Sequence, residues 1–335
     1  MRFSIRFNND LPVADYVRLA QAAEAAGFDQ FWLSNDLFLR SAPVILAALA
    51  GATSQIELGT CILNPYTIHP SEIAMLAATM DELSGNRFNL GLAAGAGDFL
   101  QWLGIEQERP LTAIRETIVA IRRLLAGERG VIGVENGRFL PWTNEAYLRF
   151  PAPRQTPIYV GAMGPKMLEL AGELADGVLP LLFPPEHFTT VKPLIEQGYT
   201  KRSAALPLLD FAACIWVSLS QDGNAARREL AHKVAYYGHA LSPLILQQLG
   251  LNKSDFTAIE HAIMVENDPD KAIGMVTDQM LRIGVVGTPR DLLPRLERLV
   301  AAGAQHLSFG PPLGPDPLAA IELLGREVLP YFRGQ

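Results

Sequence analysis

The sequence predicts a (β/α)₈ barrel, an α/β fold, from three observations. Eight strand-like runs occur along the chain, and helical patterns lie between most of them. The chain has 335 residues, which exceeds the roughly 250 of a typical barrel and leaves room for insertions. A doubly wound open sheet is the alternative, because alternation of strands and helices does not by itself distinguish a closed sheet from an open one.

The first strand shows the clearest pattern. Over residues 2–8, Phe3, Ile5 and Phe7 share one face, whereas Arg2 and Ser4 lie on the other face together with Arg6. We expect the apolar face to pack against helices. The other strand-like runs are at residues 28–33, 56–63, 87–93, 157–161, 177–182, 208–219 and 304–310.

Helix boundaries are marked by proline, glycine and threonine. Pro12 opens a helix that Gly27 closes, residues 70–84 carry apolar side chains at helical spacing, and Thr288 is the expected N-cap of a helix over 289–302.

The extra length is predicted to lie in two insertions within one domain that spans residues 1–335. Residues 127–156 contain a hairpin-like segment, 134–139, with an Asn136-Gly137 turn. Residues 241–285 read as helical without a clean strand.

Composition and charge exclude several classes of function. The formal net charge is −7 and the 28 basic residues are scattered, so neither nucleic acid nor a membrane surface is an expected partner. No segment resembles a signal peptide or a spanning helix, and we expect a cytoplasmic protein. Cys61 and Cys214 lie far apart without metal-ligand spacing, which favours two reduced thiols and predicts no metal site.

The active site of such a barrel is built where the strands end at their carboxyl side. Candidate residues therefore follow the strands directly. They are Arg6, then Ser34, Asn35 and Asp36, then Cys61, Ile62 and Asn64, then Gly95, and finally Gly161, Ala162, Met163, Gly164, Pro165 and Lys166.

The Gly161–Lys166 segment carries the strongest physical signal. Its glycines allow close approach of the backbone to a ligand, and Pro165 suits the first turn of a helix whose free amides would face an anion such as phosphate. A tight strand-to-helix turn explains the same residues equally well. Gly95-Ala96-Gly97 is a weaker signal, because Leu100 stands where a dinucleotide fingerprint has its third glycine.

Arg6 and Asp36 are the candidate catalytic pair. If Phe3, Ile5 and Phe7 face the helices, the Arg6 guanidinium points into the barrel mouth and needs an anionic partner there, either Asp36 or a substrate carboxylate. Asp36 beside Arg6 would have a lowered pKa, so Arg6 would then act as a clamp and Asp36 as a poor acid.

Several segments together resemble the coenzyme F420-dependent methylenetetrahydromethanopterin reductases of the luciferase-like superfamily. The resemblance covers nearly the whole chain, and its most specific segments are 64–66 (Asn-Pro-Tyr), 80–87 (MDELSGNR), 159–169 (YVGAMGPKMLE) and 310–315 (GPPLGP).

This resemblance implies a barrel that binds coenzyme F420, a deazaflavin. The phosphate would be held by the loop Gly161 to Lys166, and the ring would rest on a bulge after the third strand with a cis peptide at Cys61-Ile62. The reaction would be hydride transfer with a small organic or pterin-type substrate. Relatives also suggest a homodimer or higher homo-oligomer.

Two positions depart from the family pattern. An acidic residue followed by histidine is usual after the second strand, where this chain has Asn35-Asp36, and a glutamate common at the end of the first strand is replaced by Arg6. Three alternatives therefore stay open beside the F420-dependent oxidoreductase: an FMN-dependent monooxygenase, a folate-type methylene reductase that uses NADH or a flavin, and a ligand-binding relative that has lost catalysis.

Overall fold

The computed structural model describes residues 1–130, 137–139 and 141–334. The described residues form nine β-strands. Their bounds are β1 Arg2–Phe7, β2 Gln30–Leu33, β3 Glu57–Thr60, β4 Phe88–Leu92, β5 Ile158–Gly161, β6 Gly177–Leu179, β7 Asp210–Leu219, β8 Val285–Gly287 and β9 His306–Leu313.

Fifteen α-helices are found in the same described part of the chain. They are α1 Val13–Ala25, α2 Ala42–Ala52, α3 Pro70–Ser84, α4 Gly97–Trp102, α5 Pro110–Leu125, α6 Pro165–Leu174, α7 Phe188–Tyr199, α8 Gly223–Tyr237, α9 Pro243–Leu249, α10 Thr257–Met264, α11 Pro269–Gly274, α12 Asp278–Leu281, α13 Pro289–Ala301, α14 Pro317–Leu323 and α15 Leu329–Arg333. None of them is both long and apolar enough to cross a lipid bilayer.

Eight of the strands close into a parallel barrel. Each of β1 to β6 pairs with the next strand, β7 pairs with β9, and β9 pairs with β1. The predicted barrel is confirmed, and the open-sheet alternative is wrong because β1 and β9 form a continuous ladder from Arg2↔His306 to Ile5↔Phe309. The eight predicted strand-like runs correspond to these eight strands, with boundaries shifted by up to three residues.

The ninth strand, β8, was not predicted. It pairs with β7 at Val217–Leu219, on the opposite edge of β7 from β9. β8 is only three residues long and follows a helical region, so it is too short to show the alternation of apolar and polar residues that predicts a strand. Pairing with the long β7 is a tertiary interaction.

The predicted faces of β1 are present. Phe3, Ile5 and Phe7 belong to the main hydrophobic core, and the Phe7 ring lies 6.4 Å from the ring of Tyr16 on α1. Pro12 is the N-cap of α1 and Gly27 follows its end with φ +85°. Thr288 caps α13 through reciprocal hydrogen bonds with Asp291, as predicted.

The 80–87 segment of the family resemblance holds α3, β4 and neighbouring loops together. Asp81 is fully buried and accepts hydrogen bonds from Arg154 Nε at 3.0 Å and from Thr156. Gly85 ends α3 in the left-handed conformation. The Arg87 guanidinium then donates to backbone carbonyls, including those of Ala50 and Ile56. These residues are structural and lie away from the strand ends that form the mouth.

The amino-terminal end of the barrel interior is filled by a polar network. His306 lies between Ser4 Oγ, at 2.8 Å, and the Asp210 carboxylate, at 3.0 Å. Asp210 also accepts hydrogen bonds from Arg2 at 2.9 Å and from the Tyr159 hydroxyl at 2.8 Å. A Ser-His-Asp arrangement therefore exists, although no such order is recognisable in the sequence.

This Ser-His-Asp network is structural. Ser4 and His306 are almost completely buried at the end of the barrel opposite the usual active-site mouth, so no substrate can reach the hydroxyl. The neighbouring positive charges and hydrogen bonds hold the pKa of Asp210 far below its usual range despite its burial.

The two proposed insertions differ in character. Residues 241–285 contain α9 to α12, and these helices pack with α8 into a second hydrophobic cluster that includes Phe183 and Trp216. We infer that both segments are insertions in one barrel domain. Residues 134–136 of the expected hairpin-like segment 134–139, including Asn136 of its Asn136-Gly137 turn, lie outside the described residues.

We predict that Asp210→Asn destabilises the protein by roughly 3 kcal/mol at pH 7, because the variant leaves Arg2 and His306 beside a neutral amide. Since the native carboxyl has a lowered pKa, its contribution is complete above the unfolded pKa of about 4 and is lost as pH falls below it. Urea unfolding at several pH values measures both effects. The difference in free energy of unfolding between wild type and variant should become smaller below about pH 4. A difference that stays constant down to about pH 2.5 would show that the Asp210 carboxylate does not stabilise the fold through this network. Asp278→Asn, at an 89% exposed side chain, is the matched control.

Candidate functional site

The predicted site residues line the carboxyl-end mouth of the barrel. Ser34 and Asn35 follow β2, Cys61 and Ile62 follow β3, Gly95 follows β4, and Gly161 ends β5. All six are partly exposed, whereas Ser4 and His306 at the opposite end are almost completely buried. The barrel geometry therefore places the predicted segments around one opening that solvent reaches.

A bulge after β3 forms one side of the mouth. The peptide bond between Cys61 and Ile62 is cis, as the resemblance implied. Gly161 of β5 packs against this bulge, since a Cβ built on it would lie 3.2 Å from Ile62 Cγ2 and 3.3 Å from Ala93 Cβ. A side chain at position 161 would therefore crowd the bulge, which explains the glycine there.

The α6 amino terminus forms a second part of the mouth. Gly164 is its N-cap, no side chain caps the helix, and a Cβ at Gly164 would meet nothing within 4 Å. Met163, Pro165 and Lys166 are exposed around this space, whereas Ala162 is buried. Pro165 has no amide hydrogen and the Met167 amide donates to the Gly164 carbonyl, so the Lys166 amide is the first-turn donor that can face a ligand. The helix dipole favours an anion there.

Gly95 and Asn64 shape the loop beside the bulge. Gly95 has φ +80°, and a Cβ on it would lie 3.3 Å from the Asn64 side chain. Asn64 is buried, and its Oδ1 accepts hydrogen bonds from the Tyr66 amide at 3.1 Å and the Thr67 amide at 3.0 Å. Both residues have a local structural role, and contact of either with a cofactor remains a prediction.

The loop after β2 is held by amide side chains. Asn35 Oδ1 accepts a hydrogen bond from the Ala42 amide at the start of α2, at 3.1 Å. Asn9, fully buried after β1, accepts from the Asp36 amide at 3.2 Å and donates to the Asp36 carbonyl at 3.1 Å. Asn9 is not among the predicted site residues, although a polar residue just past the first strand is a usable signal in the sequence. Asn9 fixes the backbone from which Asp36 projects.

The predicted direction of the Asp36 pKa shift was wrong. Asp36 is exposed to solvent on one side, but partial desolvation of its carboxylate raises its pKa above the usual value, and the negative charge of Asp10 adds to this effect. Lys233 acts in the opposite direction. Arg6, the expected cause of a lowered pKa, forms no ion pair with Asp36 in the described structure.

Arg6 has other partners than those predicted. It is buried, and its Nε donates to Ser308 Oγ at 3.1 Å while Nη2 donates to the Ile215 carbonyl at 2.9 Å. Gly310 makes room for it, since a Cβ there would lie 2.3 Å from Arg6 Nη2. Backbone and hydroxyl oxygens therefore replace the expected carboxylate. The positive charge of Arg6 still acts on groups at the mouth. Together with burial it lowers the pKa of Lys233, and it opposes the rise that burial causes in the pKa of the Cys61 thiol.

Lys233 on α8 is a site residue that the sequence did not reveal. Its ammonium lies 4.8 Å from the centre of the Trp216 ring and 4.9 Å from that of Tyr237. Burial lowers its pKa to about 8, and the charges of Arg6, Asp10 and Asp36 also act on it. No motif surrounds Lys233 in the sequence, because α8 reaches the mouth only through the packing of residues far apart in the chain.

The chemistry available at the mouth follows from these groups. Asp36, with its raised pKa, can hold a proton more readily than an ordinary aspartate, while Arg6 and Lys233 supply positive charge. Burial raises the pKa of the Cys61 thiol to about 12, so this thiol is a poor nucleophile. The described residues contain no cluster of three or more histidine, cysteine or acidic side chains that could hold a metal ion.

Comparison with known proteins identifies the family. Residues 1–306 match the luciferase-like monooxygenase family. The chain is 34% identical to the 5,10-methylenetetrahydromethanopterin reductase of Archaeoglobus fulgidus, over 99% of this chain and 100% of the relative. The reductase of Methanolobus tindarius is also 34% identical, over 98% of this chain and 100% of its own.

A solved structure gives the same result in three dimensions. The coenzyme F420-dependent tetrahydromethanopterin reductase of Methanopyrus kandleri superposes with a TM-score of 0.90 and 30% identity, covering 99% of both chains. Sequence and fold thus agree over the full length. The protein belongs to the luciferase-like monooxygenase family.

Proposed function

We propose that the protein is a coenzyme F420-dependent oxidoreductase that transfers a hydride between this deazaflavin and a small organic or pterin-type substrate. The observation that carries the proposal is the open space at the uncapped α6 amino terminus, beside the Cys61-Ile62 bulge, at one barrel mouth. The named activities of the relatives support F420 over FMN as the cofactor. They also support an active enzyme over a binding protein that has lost catalysis.

Residues on both sides of the mouth fit the two ends of such a cofactor. The amides of α6 near Gly164, together with Lys166, would hold a phosphate, since they offer donors and positive charge with no competing side chain. The bulge at Cys61-Ile62 and the neighbouring Gly161 would support a flat ring. When bound, the deazaflavin supplies the hydride chemistry, because its ring can give up or accept a hydride.

The protein itself would supply placement and proton control. Asp36 would hold a proton on its carboxyl group and exchange it with the substrate, as its raised pKa allows. Arg6, already anchored by Ser308 and Ile215, would fix a negative or electron-rich group of the ring or substrate. The two departures from the family pattern, Asn35-Asp36 and Arg6, are part of this arrangement. They suggest a substrate other than methylenetetrahydromethanopterin.

The other expectations about the protein remain predictions. A cytoplasmic location, the absence of nucleic-acid and membrane partners, and a homodimer or higher assembly all rest on the sequence and on the family resemblance.

We predict that Gly164→Asp weakens F420 binding by about ten-fold or more, because it places a carboxylate where the phosphate would bind. Aspartate is a favourable N-cap, so stability should not fall. Gly164→Asn, which has nearly the same shape without the charge, is the matched control and should lose less affinity than Gly164→Asp, because it caps the same amides without repelling the phosphate.

Titration of deazaflavin fluorescence measures these affinities, with FMN titrated in parallel. An unchanged F420 affinity in Gly164→Asp would reject the phosphate assignment. Tight FMN binding by a wild-type protein that does not bind F420 would reject the choice of cofactor.

We predict that Asp36→Asn lowers the turnover number about 100-fold and leaves F420 affinity within two-fold of wild type, because it removes proton exchange and not cofactor contacts. In the direction that needs a proton from Asp36, the rate should fall as pH rises through the pKa of Asp36; in the opposite direction it should fall as pH decreases. Asp36→Glu should restore part of the rate. Steady-state kinetics in both directions test this, with Asp278→Asn as the control. Full activity of Asp36→Asn would show that another group handles the proton.

A further inference from the structure

Lys233 is held in place by aromatic rings instead of by a carboxylate. Its ammonium lies within 5 Å of the centres of both the Trp216 ring and the Tyr237 ring, and Trp216 belongs to the buried cluster above β7. Contacts of this kind stabilise a cation and restrict its flexible stem. The position of the charge is therefore fixed before any ligand arrives.

The charge on Lys233 is not neutralised directly. Within the described residues, no carboxylate lies at ion-pair distance from its ammonium, whereas most other lysines of the protein with defined contacts, such as Lys201 and Lys271, have one. The carboxylates that act on it, Asp10 and Asp36, do so at longer range, and Arg6 opposes them. A partly desolvated cation of this kind is stabilised further by any anion that comes within contact.

Lys233 also lies beside the chemistry of the mouth. Asp36 and Lys233 influence each other electrostatically, and the thiol of Cys61 at the bulge is influenced by Asp36 and Arg6. Lys233 is therefore faced by two rings, those of Trp216 and Tyr237. Three charged side chains also act on it: Arg6 of β1, Asp10 after β1 and Asp36 after β2. Trp216, whose ring lies under the Lys233 ammonium, directly follows Ile215, and the Ile215 carbonyl accepts a hydrogen bond from Arg6 at 2.9 Å, so Lys233 is held next to the Arg6 anchor.

We propose that Lys233 binds an anionic oxygen of the substrate, a carboxylate or another oxyanion, at the barrel mouth. This extends the function proposed above and rests on it for the identity of the bound molecule as a substrate. The phosphate site at α6 and the anion site at Lys233 are separate: the first holds the cofactor and the second selects a small acid as its reaction partner. Lys233 is thus a specificity-determining residue.

The test uses two small probes of nearly the same shape, oxalate and its neutral diamide, oxamide. We expect calorimetry on the purified wild-type protein to show binding of oxalate that is at least about ten-fold tighter than binding of oxamide. Lys233→Met keeps the length of the side chain and should abolish this preference, whereas Lys233→Arg should keep it. Lys253→Met, which removes an exposed lysine from the 3₁₀ turn Lys253–Phe256, is the matched control and should bind both probes as wild type does.

The pH dependence provides a second readout that does not require removal of the side chain. Deprotonation of the ammonium removes its attraction for an anion, so the oxalate affinity of the wild type should fall as pH rises through about 8. In Lys233→Arg this fall should disappear, since arginine stays protonated throughout the range. Equal pH dependence in the two proteins would overturn the proposal.

The remaining outcomes separate this inference from the proposed function. An oxalate preference that persists in Lys233→Met, or that is lost in Gly164→Asp instead, would place the anion elsewhere and overturn the inference. F420 affinity, measured by fluorescence on the same samples, should differ by less than two-fold between wild type and Lys233→Met. A wild-type protein that binds oxalate through Lys233 but does not bind F420 would refute the proposed function and leave the anion site established.

Discussion

Closure of the parallel sheet is the constraint on which the rest of the structure depends. Once β9 pairs with β1, all eight barrel strands end around one ring, and residues separated by more than 100 positions in the chain become neighbours. Parallel ladders require helices or loops to return the chain, so the helices cover the outside and the loops after the strands form the mouth. The site is a consequence of this arrangement and not of any continuous segment.

The two ends of the barrel use polar residues in opposite ways. At the amino-terminal end, Ser4, His306 and Asp210 satisfy one another, and Ser4 and His306 are almost completely buried. At the mouth, Arg6, Lys233 and Asp36 are not joined by ion pairs within the described structure, and Asp36 reaches solvent. Satisfied buried networks contribute rigidity, whereas charged groups without close partners retain binding capacity for a ligand.

The departures from the family pattern are understandable in the light of this arrangement. Arg6 takes a position that the family pattern assigns to a glutamate, and it is accommodated because Gly310 leaves space for the guanidinium and two oxygens accept its hydrogen bonds. Lys233 adds a second cation from α8, near enough to Arg6 for the two charges to interact. The mouth therefore favours a negatively charged reaction partner, while the α6 terminus and the bulge keep the features expected for the cofactor.

The sequence by itself determined the barrel, its eight strands and the segments that line the mouth. The spacing of apolar residues marks strands and helices, and glycine and proline mark their ends, so these features depend on neighbouring residues alone. It did not determine β8, the partners of Arg6, the direction of the Asp36 pKa shift or the presence of Lys233. Those depend on which distant side chains come together and how much water they displace. Only the closed barrel brings those side chains together. The pKa of a group at the mouth depends on its burial and on charges from β1, β7 and α8, and no sequence pattern links these elements.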